Sequence, residues 1–202
     1  MSLSNAASTL VRYIGLGHLV RARRGVAALE FAFTAPLFAL LMLATADITF
    51  FVRMRLRLDT TARTVGQVVT QYNQLHASDF AAIWQAAQLT AGTVSVSGTF
   101  GATIVSGITS SNGKPLISWQ QMTGGPGFGS QFGGIGATPT LPGNYVPPSG
   151  ITVIVVELYT TATPWVFAAS VMGGSGTTIV SATTLTQPRI ASLASIMPES
   201  HS

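Results

Sequence analysis

The longest pattern in the sequence is a run of apolar residues from position 26 to position 52, in which Glu30 and Asp47 are the only acids. A polar segment that ends in arginines precedes the run, and further arginines follow it. About 20 helical residues are enough to cross the ~30 Å hydrocarbon core of a bilayer. The pattern therefore predicts a basic leader over residues 1–25 and a transmembrane helix over residues 26–52.

Beyond the apolar run, apolar residues recur at spacings of three and four, which places them on one face of a helix. This stripe consists of Leu58, Ala62, Val65, Val69 and Tyr72. A second, shorter helix is expected to begin with Ser78 as its N-cap and Asp79 in its first turn, and to end near Gly92. Residues 53–92 are therefore predicted to form an amphipathic helical region.

From position 93 the apolar spacing shortens to two, which is typical of strands. The Asn112-Gly113 pair predicts a tight hairpin turn. Residues 123–150 are rich in Gly and Pro and predict a long irregular loop, here called the excursion. The predicted strands are Thr93–Phe100 and Ala102–Ile108 as a hairpin, Leu116–Met122, a central Ile151–Thr160 and a closing Thr177–Thr186. The sequence thus predicts an α+β fold with a small antiparallel sheet, a β-rich domain over residues 93–189 and a frayed C-terminal tail over residues 190–202.

Charged residues are scarce and unevenly placed. They make up 8% of the chain, against about 25% in ordinary soluble domains. Eight of the ten basic residues precede residue 64. A nucleic-acid surface needs clustered basic side chains on the folded domain, so we expect no nucleic-acid partner. Arginines on both sides of an apolar helix suit membrane lipid headgroups instead.

Candidate catalytic groups are few. There is no cysteine, which excludes disulfides and thiolate metal sites. The three histidines are scattered, and no histidine partner is expected for the acids Asp59, Asp79 and Glu157. We therefore predict no enzyme, no metal site and no cofactor.

The most informative motif is Arg23-Arg24-Gly25-Val26-Ala27-Ala28-Leu29-Glu30-Phe31. A glycine directly follows basic residues and opens an apolar helix, and a glutamate and an aromatic residue follow five and six positions later. The motif resembles the processing site of type IV pilin precursors, and more closely that of the TadE/TadG-like minor pilins (pseudopilins) of tight-adherence (Tad) pili. A proline inside the helix and an acid near its end fit the same pattern.

The resemblance implies a pilin-like fold and a non-enzymatic minor pilin or pseudopilin that supports assembly or initiation of a Tad-type pilus at the inner membrane. It implies that a prepilin peptidase cuts between Gly25 and Val26, that Glu30 and Phe31 serve assembly, and that Arg23, Arg24, Asp47 and Arg53 flank the membrane. The implied partners are that peptidase, other pilin subunits, the inner-membrane platform and lipid. The N-terminus would be cytoplasmic and the C-terminal domain periplasmic.

The chemistry of Glu30 favours the same interpretation. An acid inside a membrane helix costs about 2.5–3.5 kcal/mol on insertion scales and usually has a partner. Cleavage after Gly25 would create an ammonium group that can neutralise Glu30 on a neighbouring subunit. Two alternatives stay open: Glu30 lies close enough to the interface to remain unpaired, or Gly25 is simply a helix N-cap.

Two other classes of protein also stay open. Ala44-Thr45-Ala46 resembles a signal-peptidase site, although the apolar run exceeds the 7–15 residues typical of a signal sequence. Cleavage there would release an exported β-domain binding protein that begins at Asp47. An uncleaved, membrane-anchored adhesion protein would begin at Met1.

Overall fold

The computed structural model describes residues 23–163, 177–188 and 193–198, in which two α-helices precede a four-stranded antiparallel sheet. The predicted α+β class is confirmed. The chain divides into two compact units, Met1–Ala46 and Asp47–Ser202. The elements are helices α1 (Arg23–Val69) and α2 (Asp79–Ala91) and strands β1 (Gly101–Ser111), β2 (Lys114–Gly124), β3 (Val153–Ala162) and β4 (Thr178–Thr186), with the sheet order β2-β1-β3-β4.

The second part of α1 packs through the predicted apolar stripe. Leu58, Ala62, Val65 and Val69 are at most 1% exposed and share one core with residues of α2 and the sheet. Because α1 ends at Val69, the last stripe residue, Tyr72, lies beyond the helix and packs half-buried against the same core. The stripe therefore records the packing face correctly but overestimates the length of the helix by one turn.

Helix α2 begins and ends where the sequence predicts, but not for the predicted reason. Ser78 occupies the predicted N-cap position, but its backbone is already helical and its side chain makes no capping hydrogen bond. Instead, the backbone N–H of His76 donates to Asp79 Oδ2 at 2.8 Å. At the other end Gly92 adopts a φ of +65°, a conformation that favours glycine, and its N–H donates to the Gln88 carbonyl.

The predicted hairpin between Thr93–Phe100 and the following strand is wrong. The neighbours of β1 are β2 and β3, and residues 98–100 form a short 3₁₀ helix. The Gln88 side chain supplies the reason, because its amide group donates to the Val94 carbonyl at 3.1 Å and accepts from the Val96 N–H at 3.2 Å. These backbone groups are satisfied by a side chain of α2 and need no strand partner.

The true hairpin joins β1 to β2 through the predicted Asn112-Gly113 turn. Both residues have positive φ, 51° and 73°, as a type I′ turn requires. Strand β3 is central and β4 lies beside it, which confirms the predicted central and closing strands. Residues 125–150 are irregular as predicted, apart from a short 3₁₀ turn.

The two faces of the sheet are covered differently. One face packs against α1 and α2. The other carries a smaller cluster, which includes Ile108, Val153 and Val155 and to which Leu141 of the excursion belongs. Beside this cluster, the buried Glu157 carboxylate accepts hydrogen bonds from the Ser130 hydroxyl and the Gln131 N–H and so holds the excursion to the sheet.

A short C-terminal segment also packs on the domain. Trp119 is 4% exposed, lies over Gly107 and donates from its indole Nε1 to the Leu193 carbonyl at 2.6 Å. The Met197 N–H donates to the Leu75 carbonyl at 2.8 Å. The expectation of a frayed tail is therefore wrong for residues 193–198, while residues 1–22 of the predicted leader lie outside the described part of the chain.

Candidate functional site

The first part of α1, residues 25–46, displays large apolar side chains on all sides. Phe33 is 76% exposed and Met42 is 74% exposed, and the intervening turns are similar. A run of 22 helical residues is about 33 Å long, close to the thickness of a bilayer core. Among the described residues this is the one helix that is long and apolar enough to cross a membrane.

The predicted processing site lies inside this helix. Arg23 and Arg24, which precede Gly25, are already helical, so Gly25 lies inside the helix and is not an N-cap. No described atom outside its own stretch of helix comes within 4 Å of a Cβ atom placed on Gly25. Glycine weakens a helix by about 1 kcal/mol relative to alanine, so nothing in the described structure explains a glycine here. Val26, the next residue, is 59% exposed.

Glu30 lies one turn further along, with Phe31 beside it. Both side chains are exposed. The Thr34 hydroxyl donates to the Glu30 backbone carbonyl at 2.9 Å, so that hydroxyl is satisfied within the helix. In contrast, the Glu30 carboxylate makes no ion pair or hydrogen bond within residues 23–163, 177–188 and 193–198. An acid on an apolar surface is thus presented without an internal partner.

The predicted flanking residues differ in their surroundings. Asp47 is 4% exposed, whereas Arg53 is exposed. Arg55, which also follows the apolar run, lies 3.6 Å from Asp59, one turn away on the same helix. For Arg23 and Arg24 the structure describes the helical backbone alone. Gly25, Val26, Glu30 and Phe31 therefore share two turns of α1, while Asp47 and Arg53 belong to the other compact unit.

A comparison with protein-family models matches residues 25–76 to the family described as TadE-like protein. This part of the chain is similar to TadE-like proteins. The match confirms the resemblance inferred from the motif and is consistent with a protein of the Tad pilus system. Comparisons with curated proteins and with solved structures found no match.

The TadE-like region coincides with α1 and the turn that follows it. It begins at Gly25, includes Val26, Glu30, Phe31, Asp47 and Arg53, and ends before α2. It covers 52 of the 202 residues. The sheet and the excursion therefore lie outside the TadE-like region.

Sequence reasoning missed two polar clusters in the domain. His76 Nδ1 lies 3.5 Å from Asp79 Oδ2, so the expectation that Asp79 lacks a histidine partner is wrong; the spacing of three residues before a helix was the available signal. Tyr159 donates to Glu157 at 2.7 Å, and burial together with this neighbouring carboxylate raises the pKa of the Tyr159 phenol well above its usual value. Ser130 is 27 residues away from Glu157 along the chain, and no local signal links the two.

Neither cluster forms a recognisable catalytic centre. Asp79 accepts a backbone hydrogen bond at the start of α2, and Glu157 holds the excursion. Among the described residues there is no group of three or more His, Cys, Asp or Glu side chains suited to a metal ion. TadE-like, pilus-associated proteins are generally non-enzymatic.

Proposed function

We propose that the protein is a minor pilin or pseudopilin that supports assembly or initiation of a Tad-type pilus at the inner membrane. The observation that carries the proposal is the bare apolar helix of residues 25–46, on which Glu30 has no partner among the described residues. Such a surface needs lipid or other apolar helices around it. A pilin subunit meets both, first in the membrane and then among its neighbours.

Processing by a prepilin peptidase supplies the partner for Glu30. Hydrolysis of the Gly25–Val26 peptide bond leaves an ammonium group on Val26, four residues before Glu30. On one subunit this ammonium group can pair with the Glu30 carboxylate of the next, which relieves the cost of about 2.5–3.5 kcal/mol for an acid in the membrane. No contact in the described part of the chain requires a glycine at position 25, and this supports a role in recognition by the peptidase.

The remaining partners follow from this scheme. Other pilin subunits and the inner-membrane platform would contact the helix, and lipid would surround it before assembly. The N-terminus would lie in the cytoplasm, and the domain that contains the sheet would lie in the periplasm. Arg23, Arg24, Asp47 and Arg53 would flank the membrane at the two ends of the span.

Intact mass and N-terminal sequencing of the protein from the membrane fraction test the processing step. The expected mature chain begins at Val26. Gly25→Leu should leave a longer precursor in the membrane, because leucine favours the helix but is too bulky for the peptidase. Ala28→Leu is the matched control, since Ala28 is also exposed on α1, and should be cut normally.

Release by signal peptidase is the second candidate function. It is favoured by one observation, namely that the second compact unit begins at Asp47, directly after Ala44-Thr45-Ala46. A mature N-terminus at Asp47 and recovery in the soluble fraction would replace the pilin proposal with an exported binding protein. A chain that begins at Met1 would indicate an uncleaved membrane anchor.

Topology is tested separately with reporters fused after Ser202. A reporter that works only in the periplasm should be active, and one that works only in the cytoplasm should be silent. The reverse pattern would contradict the proposed orientation while leaving the processing result intact.

A further inference from the structure

A groove of about 440 Å³ lies where the domain meets the end of the apolar run. One wall is a stripe of α1 formed by Phe50, Arg53, Met54 and Arg57. The opposite wall is formed by residues 93–95, which follow α2, and by Thr160 and Thr161 near the end of β3. All of these residues belong to the second compact unit, so the groove is a feature of one unit.

The groove carries positive charge that the described residues do not neutralise. Arg53 and Arg57 are exposed, four residues apart on one face of α1, and neither forms an ion pair within residues 23–163, 177–188 and 193–198. Two like charges at this spacing repel each other. Among the described residues no acidic side chain lines the groove, whereas the neighbouring Arg55 is paired with Asp59. An anion between the two guanidinium groups would relieve the repulsion.

The second arginine is positioned by the end of α2. Arg57 Nη1 lies so close to Gly92 that a Cβ atom placed there would be 2.7 Å away. The carbonyl end of a helix attracts cations, so α2 holds this guanidinium beside the groove. The hydroxyls of Ser95 and Thr161 donate to the backbone carbonyls of Ser97 and Phe100. Two of the four hydroxyls on the described lining are thus already engaged, and the charged donors that this lining offers an anion are the two guanidinium groups.

The location and the apolar wall indicate which anion. From residue 46, where the bare stretch ends, Arg53 lies about 10 Å and Arg57 about 16 Å further along the helix. Side chains on a helix lean toward its N-terminus, which here is the direction of the membrane, so both guanidinium groups reach back toward the headgroup layer. The headgroup layer of a bilayer is roughly 5–8 Å thick on each side. Phe50 and Met54 line the same groove and offer an apolar surface next to the charges. This combination suits a phosphate that is attached to acyl chains.

We propose that the groove binds the phosphate of an anionic phospholipid in the leaflet where α1 leaves the membrane. Arg53 and Arg57 donate to the phosphate oxygens, and Phe50 and Met54 contact the glycerol and the first methylene groups. The bound lipid anchors the domain at the bilayer surface. This inference rests on the proposed membrane span of α1.

The test uses the full-length protein extracted from membranes and native mass spectrometry with added phosphatidylglycerol or phosphatidylcholine. We expect the wild type to retain one phosphatidylglycerol in preference to phosphatidylcholine. Each arginine near an anionic headgroup contributes about 1 kcal/mol, which corresponds to about fivefold in affinity. Arg53→Gln with Arg57→Gln should therefore weaken phosphatidylglycerol binding by about 25-fold and abolish the preference.

The matched control is Arg55→Gln with Arg63→Gln, which removes the same charge from the same helix but outside the groove. It should bind phosphatidylglycerol like the wild type, and thermal melting of both double variants should be unchanged. Arg53→Lys with Arg57→Lys should keep most of the binding. An equal loss in the control, or full binding by the groove variant, would overturn the proposal.

Two further outcomes are separable. If inorganic phosphate binds the groove as tightly as phosphatidylglycerol does, the glycerol and acyl groups contribute nothing, the groove is a site for soluble anions and the lipid proposal is wrong. If the wild type resists alkaline extraction from membranes but shows no preference for phosphatidylglycerol, this inference fails and the membrane span stands. Complete extraction of the wild type would instead contradict the proposed membrane span on which the inference rests.

Discussion

Residues 25–46 and residues 54–69 belong to one continuous helix, yet the apolar side chains of the two stretches differ in their exposure to solvent. In the first stretch, large apolar side chains are exposed on every side. In the second, four residues at three- and four-residue spacing are almost fully buried and the opposite face is polar. An apolar stripe indicates a helix that packs on its own domain. An apolar surface on all sides indicates a helix that is surrounded by lipid or by helices of other molecules. Four predictions test this contrast.

The largest effect is expected at Glu30, the charged position of the bare stretch. Glu30→Ala and Glu30→Gln should be made, inserted and cut, but should not support pilus formation. The neighbour's ammonium group would be left unpaired in a medium of low dielectric constant, which is strongly unfavourable. The measurement is the number of surface pili after complementation of a deletion strain, with protein level and mass checked by blot.

Thr34→Ala is the control for Glu30, because Thr34 lies one turn away and bonds only within its own helix in the described structure. It should restore normal piliation. Normal piliation by both Glu30 variants would mean that Glu30 is an interfacial acid with no part in assembly.

Alanine substitution of one leucine in each stretch should have different effects on the stability of the domain. Leu58→Ala should lower the free energy of unfolding of the domain by about 2–5 kcal/mol, because it leaves a cavity in the core. Leu37→Ala removes the same atoms from an exposed position of the bare stretch and should leave domain stability unchanged. Thermal melting of the full chain in detergent, followed by near-UV circular dichroism, measures both. Equal effects would contradict the division of α1 into a packed and a bare part.

Alkaline pH should lower the stability of the folded domain and leave the membrane helix unchanged. Tyr159→Phe removes a hydrogen bond to the Glu157 carboxylate, which costs about 1.5–3 kcal/mol. The raised pKa of Tyr159 means that the unfolded chain loses the phenol proton first, so the stability that this group contributes is present below pH ~10 and falls as the pH rises further.

The difference in stability between the wild type and Tyr159→Phe should therefore shrink above pH ~10. Denaturant melts at several pH values measure it, with Tyr145→Phe as the control at an exposed tyrosine. Retention in membranes should not respond to either substitution. A constant difference across the whole pH range would contradict the assigned role of Tyr159.

The smallest effect concerns the two glycines of α1. A Cβ atom at Gly66 would lie 2.6 Å from Thr186 Oγ1, whereas one at Gly25 would have no described atom within 4 Å outside its own helix. Gly66→Ala gains about 1 kcal/mol of helix propensity but must displace the threonine, so its net effect on stability should be small. In a Thr186→Ala background the full gain should appear. Equal effects in both backgrounds, measured by denaturant melts, would show that the contact does not limit the helix.

The sequence predicted best those features whose cause is local. The α1 stripe could be predicted because packing on one face of a helix imposes a period on the apolar residues. The Asn112-Gly113 turn could be predicted because positive φ restricts the residue type. The alternation in residues 93–100 was misleading, since Gln88 replaces a strand partner there. The pairing of His76 with Asp79 was visible in the spacing and was overlooked.

The candidate site divides in the same way. Gly25 and Glu30 came from a short motif, because the processing and assembly roles proposed for them involve residues that are close along the chain. The groove could not be predicted, because it requires Arg57, Val94 and Thr161 to come together from three separate parts of the chain. The same is true of Glu157, whose hydrogen-bond donors are separated from it by up to 27 residues.

The hairpin turn has a practical consequence for imaging. Lys114, the single lysine of the chain, is exposed directly after Asn112-Gly113 at the far end of β1. Strand β1 starts beside Thr160 of the groove and has 11 residues, so its rise of about 3.4 Å per residue places this amine roughly 35 Å away from the groove along the strand. An amine-reactive fluorophore or gold particle would therefore mark one side-chain position on each folded domain, and a variant with Lys114→Arg would reveal any label carried by the N-terminal amine. In an electron micrograph, the spacing of such marks would report whether copies of the protein follow a regular lattice or occur singly.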